Sequence, residues 1–170
     1  MLAFVAADVD GAYERVVAHY ERPVAAVLPD SPEDDLFRSR GWVTESHDAD
    51  TQFRVASVAQ VSRRLRRSDT PSVELVETHP GVVEARIGDA ASGVAAYADD
   101  WVGFRSIHVA PEQRRRGLAL AVMAALVEWG AEQGATTAYL QVLGDNAPAL
   151  ELYDGLGFGT HHAYRYLTPS

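Results

Sequence analysis

Four consecutive residues in the second half of the chain could hold an anion: Arg114, Arg115, Arg116 and Gly117. They stand between an apolar run over residues 101–108, which predicts a strand, and an apolar-periodic segment over residues 118–133, which predicts a helix. The first N–H groups of a helix have no partner within it and lie at the positive end of its dipole. A glycine there lets a phosphate approach the backbone, and arginines add charge-assisted donors. The sequence therefore predicts a phosphate site at the start of this helix.

This stretch resembles the phosphate loop of a known protein family. Arg114-x-x-Gly117-x-Ala119 is similar to the (Gln/Arg)-x-x-Gly-x-(Gly/Ala) signature of the GCN5-related N-acetyltransferases, the GNAT family. The Val-x-Pro of residues 109–111 and the segment over residues 146–158 also match, so the resemblance covers roughly residues 80–170. It implies the GNAT acyl-CoA N-acyltransferase fold and a cytoplasmic N-acetyltransferase. Acetyl-CoA would be its co-substrate, and a primary amine would attack the thioester directly.

The resemblance also implies which residues meet acetyl-CoA. The arginine loop would cradle the pyrophosphate, and main-chain groups of the preceding strand would hold the pantetheine arm, with the N–H of Val109 facing the thioester oxygen. The cofactor-binding residues implied in this way are Ile107, His108, Val109, Arg114, Arg115, Arg116, Gly117, Leu118, Ala119, Asn146, Ala149 and Tyr153. Asn146 is at the same time a candidate N-cap for the helix that follows it.

Tyr153 is the residue for which the resemblance implies a catalytic role. The family often uses the tyrosine of its Leu-Tyr…Gly-Phe segment to protonate the leaving thiolate. A phenol of pKa about 10 against a thiol of pKa about 8.5 makes that transfer nearly balanced. The alternative is a tyrosine that packs its helix onto the sheet and hydrogen-bonds a carbonyl through its hydroxyl.

The sequence assigns no general base. Many members of the resembled family carry a carboxylate on the strand before the phosphate loop, where this chain has Arg105 and Ser106. The remaining candidates are His108 on the same strand, Glu84 on a neighbouring strand, which could act through water, and His161 and His162 near the final strand, where the acceptor could sit. Because the strand carboxylate is missing, a non-catalytic acyl-CoA-binding or interaction module stays open as the alternative to an enzyme.

The composition bounds the class of protein. The chain has 170 residues, 47% of them hydrophobic and 23% charged, which is typical of an ordinary soluble globular protein with a full core. A net charge of −9 argues against nucleic acid as a partner. The absence of cysteine excludes disulfides and thiolate chemistry. No two of the six histidines have metal-binding spacing with a carboxylate, so we expect no metal.

The sequence also indicates the compartment and the partners of the protein. The sequence has no stretch of about 18 apolar residues, so it predicts no membrane span. The apolar opening over residues 1–9 lacks the basic start of a signal peptide. We therefore expect a cytoplasmic protein without a membrane partner. The expected partners are a small-molecule or peptide amine and a second copy of the chain, paired through edge strands.

The order of elements predicts an α/β fold. Hydrophobic runs punctuated by turn residues predict an antiparallel meander over residues 73–78, 81–87, 93–98 and 101–109. After the phosphate loop come a helix, a strand, a helix and a strand over residues 118–133, 137–142, 146–156 and 164–167. A meander followed by β-α-β-α-β implies a mixed sheet with helices on both faces.

The chain is predicted to divide into residues 1–60 and an acetyltransferase domain over residues 61–170. The first part reads as strand, capped helix, strand, strand over residues 24–28, 32–40, 42–46 and 53–61. Its pattern parallels residues 143–158, which predicts a partial, degenerate GNAT-like copy. A strand–helix–strand unit that matches by chance is the alternative.

Two features make the first part structural in this interpretation. Phe37 stands where the second copy has Tyr153, and no phosphate loop precedes it.

The polar connector that follows carries Arg63, Arg64, Arg66 and Arg67. These arginines are either a solvated linker or a contact for the 3′-phosphate of CoA.

Overall fold

The computed structural model describes residues 9–45, 49–65 and 71–170. The predictions for residues 1–8 and for Arg66 and Arg67 lie outside these ranges. The helices in the described part are α1 Val9–His19, α2 Pro32–Ser39, α3 Val58–Leu65, α4 Leu118–Glu132 and α5 Ala147–Leu156. The strands are β1 Ala25–Val27, β2 Trp42–Thr44, β3 Thr51–Ser57, β4 Glu74–His79, β5 Val82–Ile87, β6 Ala91–Ala98, β7 Trp101–Val109, β8 Thr137–Leu143 and β9 Gly159–Pro169.

The chain divides into two compact units, each built from segments that are not contiguous in the sequence. The first holds the described residues up to Phe53 together with Leu143–Asn146 and His162–Ser170. The second holds Arg54–Val142 and Ala147–His161. The separate domains over residues 1–60 and 61–170, and the degenerate copy within the first, stay predictions.

The second unit contains the predicted meander. Strands β4, β5, β6 and β7 pair antiparallel in chain order, and β8 pairs parallel to β7. A parallel pair needs a crossover connection, which α4 supplies. The prediction of a mixed sheet built from a meander and a following β-α-β unit is confirmed.

Helix α4 packs closely on the sheet of this unit. Its most buried side chains are Val122, Met123, Leu126 and Val127. A Cβ on Gly93 of β6 would lie 2.6 Å from Ile107 Cδ1 and 2.8 Å from Val122 Cγ1. The missing side chain therefore lets α4 approach the strand that leads into the arginine loop.

One predicted strand is wrong over part of its length. Residues 53–61 were expected to be extended, but β3 ends at Ser57 and α3 begins at Val58. The buried side chains of α3 are Val58, Val61 and Leu65, which recur at helical spacing. Valines favour strands locally, but packing of this face against the core overrides that preference. Arg63 and Arg64 of the predicted connector belong to this helix.

The first unit has a small core of its own. Strands β1 and β2 both pair antiparallel with β9. Phe37 and Trp42 are buried with ring centroids 4.6 Å apart, and Tyr13 of α1 packs edge-on against both. The predicted capping of α2 is confirmed, because Ser31 Oγ accepts from the N–H of Asp34 at 3.2 Å. Within the described residues no helix is long and apolar enough to cross a membrane.

Asp34 is a buried carboxylate in this unit, with 2% of its surface exposed. Its oxygens accept from Arg38 Nε at 2.8 Å, from Arg165 Nη1 at 3.2 Å and from the N–H of Asp30 at 3.1 Å. Arg165 also donates to both oxygens of Asp50, at 2.8 and 3.1 Å. The network ties the start of α2 to β9.

Removing this carboxylate should destabilise the protein. We expect Asp34→Ala to lower the free energy of unfolding by about 1–3 kcal/mol, because the Asp30 N–H loses its acceptor and the partly exposed Arg38 and Arg165 lose a buried partner. Urea unfolding followed by tryptophan fluorescence measures the change. The matched control is Asp35→Ala at the next, exposed position, which should change stability by less than about 0.5 kcal/mol. Equal stability of the two variants would show that the network contributes nothing.

Candidate functional site

Strand β7 loses its parallel neighbour halfway along its length. Its pairing with β8 extends from Trp101 opposite Thr137 to Phe104 opposite Leu140. The second half of β7, residues 105–109, keeps β6 on one side and has no strand pairing with β8 in the described structure. That edge therefore presents main-chain donors and acceptors to which an extended ligand could pair.

A β-bulge stands where the two strands part. Between Val94 and Ser92 of β6 there is one residue, but between their partners Arg105 and His108 there are two. Ser106 takes up the additional residue with a φ of 55°, a left-handed conformation that is uncommon for serine. A bulge bends its strand and increases the local twist, which accounts for the separation of β7 from β8.

The bulge sets the direction of the groups beyond it. The N–H of Ala110 donates to Ala90 at 2.9 Å, toward β6. Main-chain groups alternate in direction along an antiparallel strand. The N–H and C=O of Ile107 and Val109 therefore point away from β6, toward the open edge, while those of His108 point toward β6. The side chains of Ile107 and Val109 pack against the core, and His108 is exposed.

The predicted phosphate loop forms a concave backbone turn at the end of this strand. After a short 3-10 helix, Pro111–Gln113, the chain is extended at Arg114 and left-handed at Arg115, with a φ of 62°. Gly117 is left-handed again, with a φ of 77°, and serves as the N-cap of α4. Successive N–H groups in such a turn converge on an anion.

The loop leaves its positive groups available. The first N–H bonded back to the cap is that of Ala121, which donates to Gly117 O at 3.1 Å, so the N–H groups before it have no partner within the helix. Arg114 Nε donates to Val109 O at 3.4 Å, and Arg116 bonds the Gln113 side chain. All three arginines of the loop are exposed. Backbone and side chains thus form one cationic site at the start of α4.

Tyr153 lies on α5 with its ring in the core of the second unit. It is 8% exposed and meets Phe158 edge-on, with ring centroids 5.8 Å apart. Burial raises the pKa of Tyr153 above its ordinary value. The ring is packed as the alternative of a packing tyrosine requires, and the catalytic role of Tyr153 stays a prediction. Ala149 lies one turn earlier on the same face of the helix.

Asn146 directly precedes α5, and its N–H donates to Leu143 O at 3.1 Å. Both residues belong to the first unit. The roles inferred for Asn146, as N-cap and as cofactor contact, stay predictions.

The candidate bases have different surroundings. Glu84 bonds Arg86 at 2.8 Å, and this bond holds the pKa of Glu84 below its ordinary value, so that Glu84 is a weaker base. Glu84 on β5 is paired with Val94 on β6, which is in turn paired with Arg105 on β7. His162 stacks on Phe53 with ring centroids 5.1 Å apart. Among these candidates Glu84 is the carboxylate, and in the described structure it lies two strands away from the bulge.

Sequence reasoning missed two features of this site. The bulge at Ser106 has no local signal, because serine carries no preference for the left-handed region. Arg54 on β3 was also missed: it is 5% exposed and pairs with Asp154 of α5. A charged residue within an apolar strand is the signal that could have singled it out.

Comparison with known proteins places the chain among acetyltransferases. Residues 73–167 match the family model described as "Probable histone acetyltransferase Rv0428c C-terminal". The chain is 36% identical over 77 residues to the "Uncharacterized N-acetyltransferase YobR" of Bacillus subtilis (strain 168), 44% of this chain and 31% of that protein. It is 39% identical over 87 residues to the "Probable histone acetyltransferase Rv0428c" of Mycobacterium tuberculosis (strain ATCC 25618 / H37Rv), 51% of this chain and 26% of that protein. These matches span about a third or less of either relative.

Solved structures share the fold. A GCN5-related N-acetyltransferase from Kribbella flavida superposes with a TM-score of 0.65 at 18% identity, covering 92% of this chain and 72% of that one. A "Tandem GNAT protein from the clavulanic acid biosynthesis pathway" superposes with a TM-score of 0.64 at 13% identity, covering 93% of this chain and 67% of that one. The predicted GNAT fold is confirmed. The chain belongs to the Rv0428c C-terminal family of acetyltransferases, within the GNAT family.

Proposed function

We propose that the chain transfers an acetyl group from acetyl-CoA to a primary amine by direct attack of the amine on the thioester. The observation that carries the proposal is the open edge of β7 next to the cationic turn at the start of α4. The edge suits an arm that contains amides, and the turn suits a pyrophosphate. Acetyl-CoA carries both groups.

Each part of the site has a step to support. The N–H groups of Ile107 and Val109 hold the arm along β7, and that of Val109 stabilises negative charge developing on the thioester oxygen. The attacking nitrogen forms a bond to the carbonyl carbon while the carbon–sulfur bond breaks. The Tyr153 hydroxyl gives its proton to the departing thiolate and recovers one from solvent. The amine loses its additional proton to water or to a base.

One observation favours a second candidate, a non-catalytic acyl-CoA-binding module. Arg105 and Ser106 occupy the bulge, both exposed, and Glu84 is engaged by Arg86. The carboxylate that many members of the resembled family carry on this strand is therefore missing at these two positions. An amine that arrives deprotonated needs no such base, so this candidate and the enzyme differ in turnover and not in binding.

The acceptor is proposed as an amine of a protein or of a small molecule. The word histone in the name of the mycobacterial relative is said of that protein alone. It nevertheless makes a lysine-containing peptide a reasonable member of an acceptor panel. The other members are polyamines, amino acids, aminoglycosides and a peptide with a free N-terminus.

The panel tests the proposal directly. We expect at least one amine to yield an acetylated product by mass spectrometry, with one free thiol released per product. The rate should rise with pH toward the pKa of the amine, because the neutral amine is the nucleophile. Acetyl-CoA that binds by calorimetry without any acetylated product would favour the binding module. Absence of binding would contradict both candidates.

A further inference from the structure

Arg54 is a buried arginine whose guanidinium donates hydrogen bonds to helix α5 and to the segment directly after it. Its Nη2 donates to Phe158 O at 2.8 Å and pairs with the carboxylate of Asp154. Its Nη1 donates to Leu150 O at 3.5 Å. The residue is 5% exposed, and its Nε is buried without a protein partner among the described residues. One side chain on β3 therefore bonds α5 at Leu150 and Asp154, and bonds Phe158 two residues beyond the end of the helix.

The three acceptors surround Tyr153 along the chain. Leu150 lies one turn before Tyr153, and Asp154 directly follows it. Phe158 lies two residues beyond Leu156, the last residue of α5. The N–H of Phe158 donates to Tyr153 O at 3.0 Å, and their rings are in contact. A displacement of the guanidinium would therefore shift the backbone on both sides of Tyr153 and the ring against which it packs.

We propose that Arg54 is the positioning residue for Tyr153, holding the phenol at the point where it meets the leaving thiolate. The proposal rests on the proposed function, in which Tyr153 donates a proton. A planar guanidinium can bond two backbone carbonyls and a carboxylate at once from fixed directions. An ammonium places its donors around a single nitrogen, so lysine keeps the charge and loses the geometry.

Arg64 of α3 is the matched comparison. Its Nη1 donates to Asp154 O at 3.2 Å and to Gly155 O at 3.1 Å, which are carbonyls near the C-terminal end of α5. Arg64 is exposed, unlike Arg54. It contributes a cation to the negative end of the helix dipole, but it makes none of the bonds to Leu150 or Phe158 in the described structure. A variant of Arg64 tests the general effect of an arginine at this helix.

The experiment is a double-mutant cycle with the best acceptor of the amine panel. We expect Arg54→Lys to lower kcat about tenfold, since small misplacements of a reacting group carry large losses, with the KM for acetyl-CoA within about twofold. In the Tyr153→Phe background the same change should alter kcat less than about twofold, because no proton donor remains to be misplaced. Arg64→Lys should leave kcat within about twofold in both backgrounds.

A second readout does not depend on turnover. In protein carrying 3-fluorotyrosine, the fluorine resonance of Tyr153 is assigned by its loss in Tyr153→Phe. Arg54→Lys should shift or broaden that resonance, and Arg64→Lys should not. If Arg54→Lys fails to fold, Asp154→Asn removes the charge partner of Arg54 at an exposed side chain and should act on kcat and on the resonance in the same direction.

The outcomes separate the two proposals. An equal fold-loss of kcat from Arg54→Lys in both backgrounds, or an unmoved Tyr153 resonance, overturns the role of Arg54 and leaves acetyl transfer intact. A Tyr153→Phe variant with full kcat overturns the roles of both residues. Absence of any acetylated product from the parent protein overturns the proposed function, and the fluorine resonance still decides whether Arg54 places the ring.

Discussion

Replacing Tyr153 with phenylalanine is expected to lower kcat at least about tenfold while leaving the affinity for acetyl-CoA and the melting temperature nearly unchanged. The ring contributes the packing, because it lies in the core against Phe158. The substitution removes only the hydroxyl and keeps the ring, so the packing that supports the fold is retained. Steady-state kinetics and thermal melting of the two proteins measure both effects.

The pH dependence should agree with this assignment. Burial raises the pKa of Tyr153, so the phenol stays protonated through the range in which an ordinary phenol, with a pKa of about 10, begins to ionise. The kcat of the parent protein should therefore show no loss between pH 7 and pH 9. The control is Tyr97→Phe, which removes a hydroxyl from a half-buried tyrosine packed against the same core. A Tyr153→Phe variant that melts earlier and keeps its kcat would identify a packing residue.

Replacing Gly117 with glutamate is expected to weaken acetyl-CoA binding about 100-fold or more. The new carboxylate would stand at the start of α4, where unpaired N–H groups and three exposed arginines form the cationic site. Loss of one or two charge-assisted bonds, each about 1.5–3 kcal/mol, corresponds to that factor. Titration calorimetry with acetyl-CoA measures the affinity.

The backbone at Gly117 complicates this substitution and requires a control. Its φ of 77° is left-handed, which is unfavourable by about 1–2 kcal/mol for most residues. Asparagine tolerates this conformation, so Gly117→Asn adds a side chain without charge and with little strain. We expect it to bind acetyl-CoA more than tenfold tighter than Gly117→Glu. Unchanged affinity in a folded Gly117→Glu protein would mean that the phosphates bind elsewhere.

The central part of the fold could be predicted because local and tertiary preferences agree there. Residues 101–109 begin as an apolar run and pack as a strand, Gly117 permits the turn, and α4 begins at Leu118 as its periodicity predicts. The meander is punctuated by turn residues at each reversal. The capped helix predicted over residues 32–40 is found as α2, with Ser31, a residue type that favours helix starts, as its N-cap.

The remainder depends on contacts that no local pattern encodes. Val58 and Val61 favour a strand by themselves, and only burial of one face with Leu65 makes them helical. The bulge at Ser106 belongs to the pairing of β7 with β6, which is a property of two strands and not of one segment. Arg54 finds its partners about 100 positions further along the chain. The site residues were predicted by resemblance, and their roles await the variants above.

The pairing of β9 with β1 and β2 has a consequence for biosynthesis. Ala25 pairs with Leu167 and Trp42 with Pro169, so β1 and β2 find their partner in a strand that follows every other described strand in the chain. During translation both strands leave the ribosome long before β9 is made. Contacts between such distant positions form slowly, because a large loop must close before they contribute. Until β9 is made, the edges of β1 and β2 are unpaired and open to association with other chains.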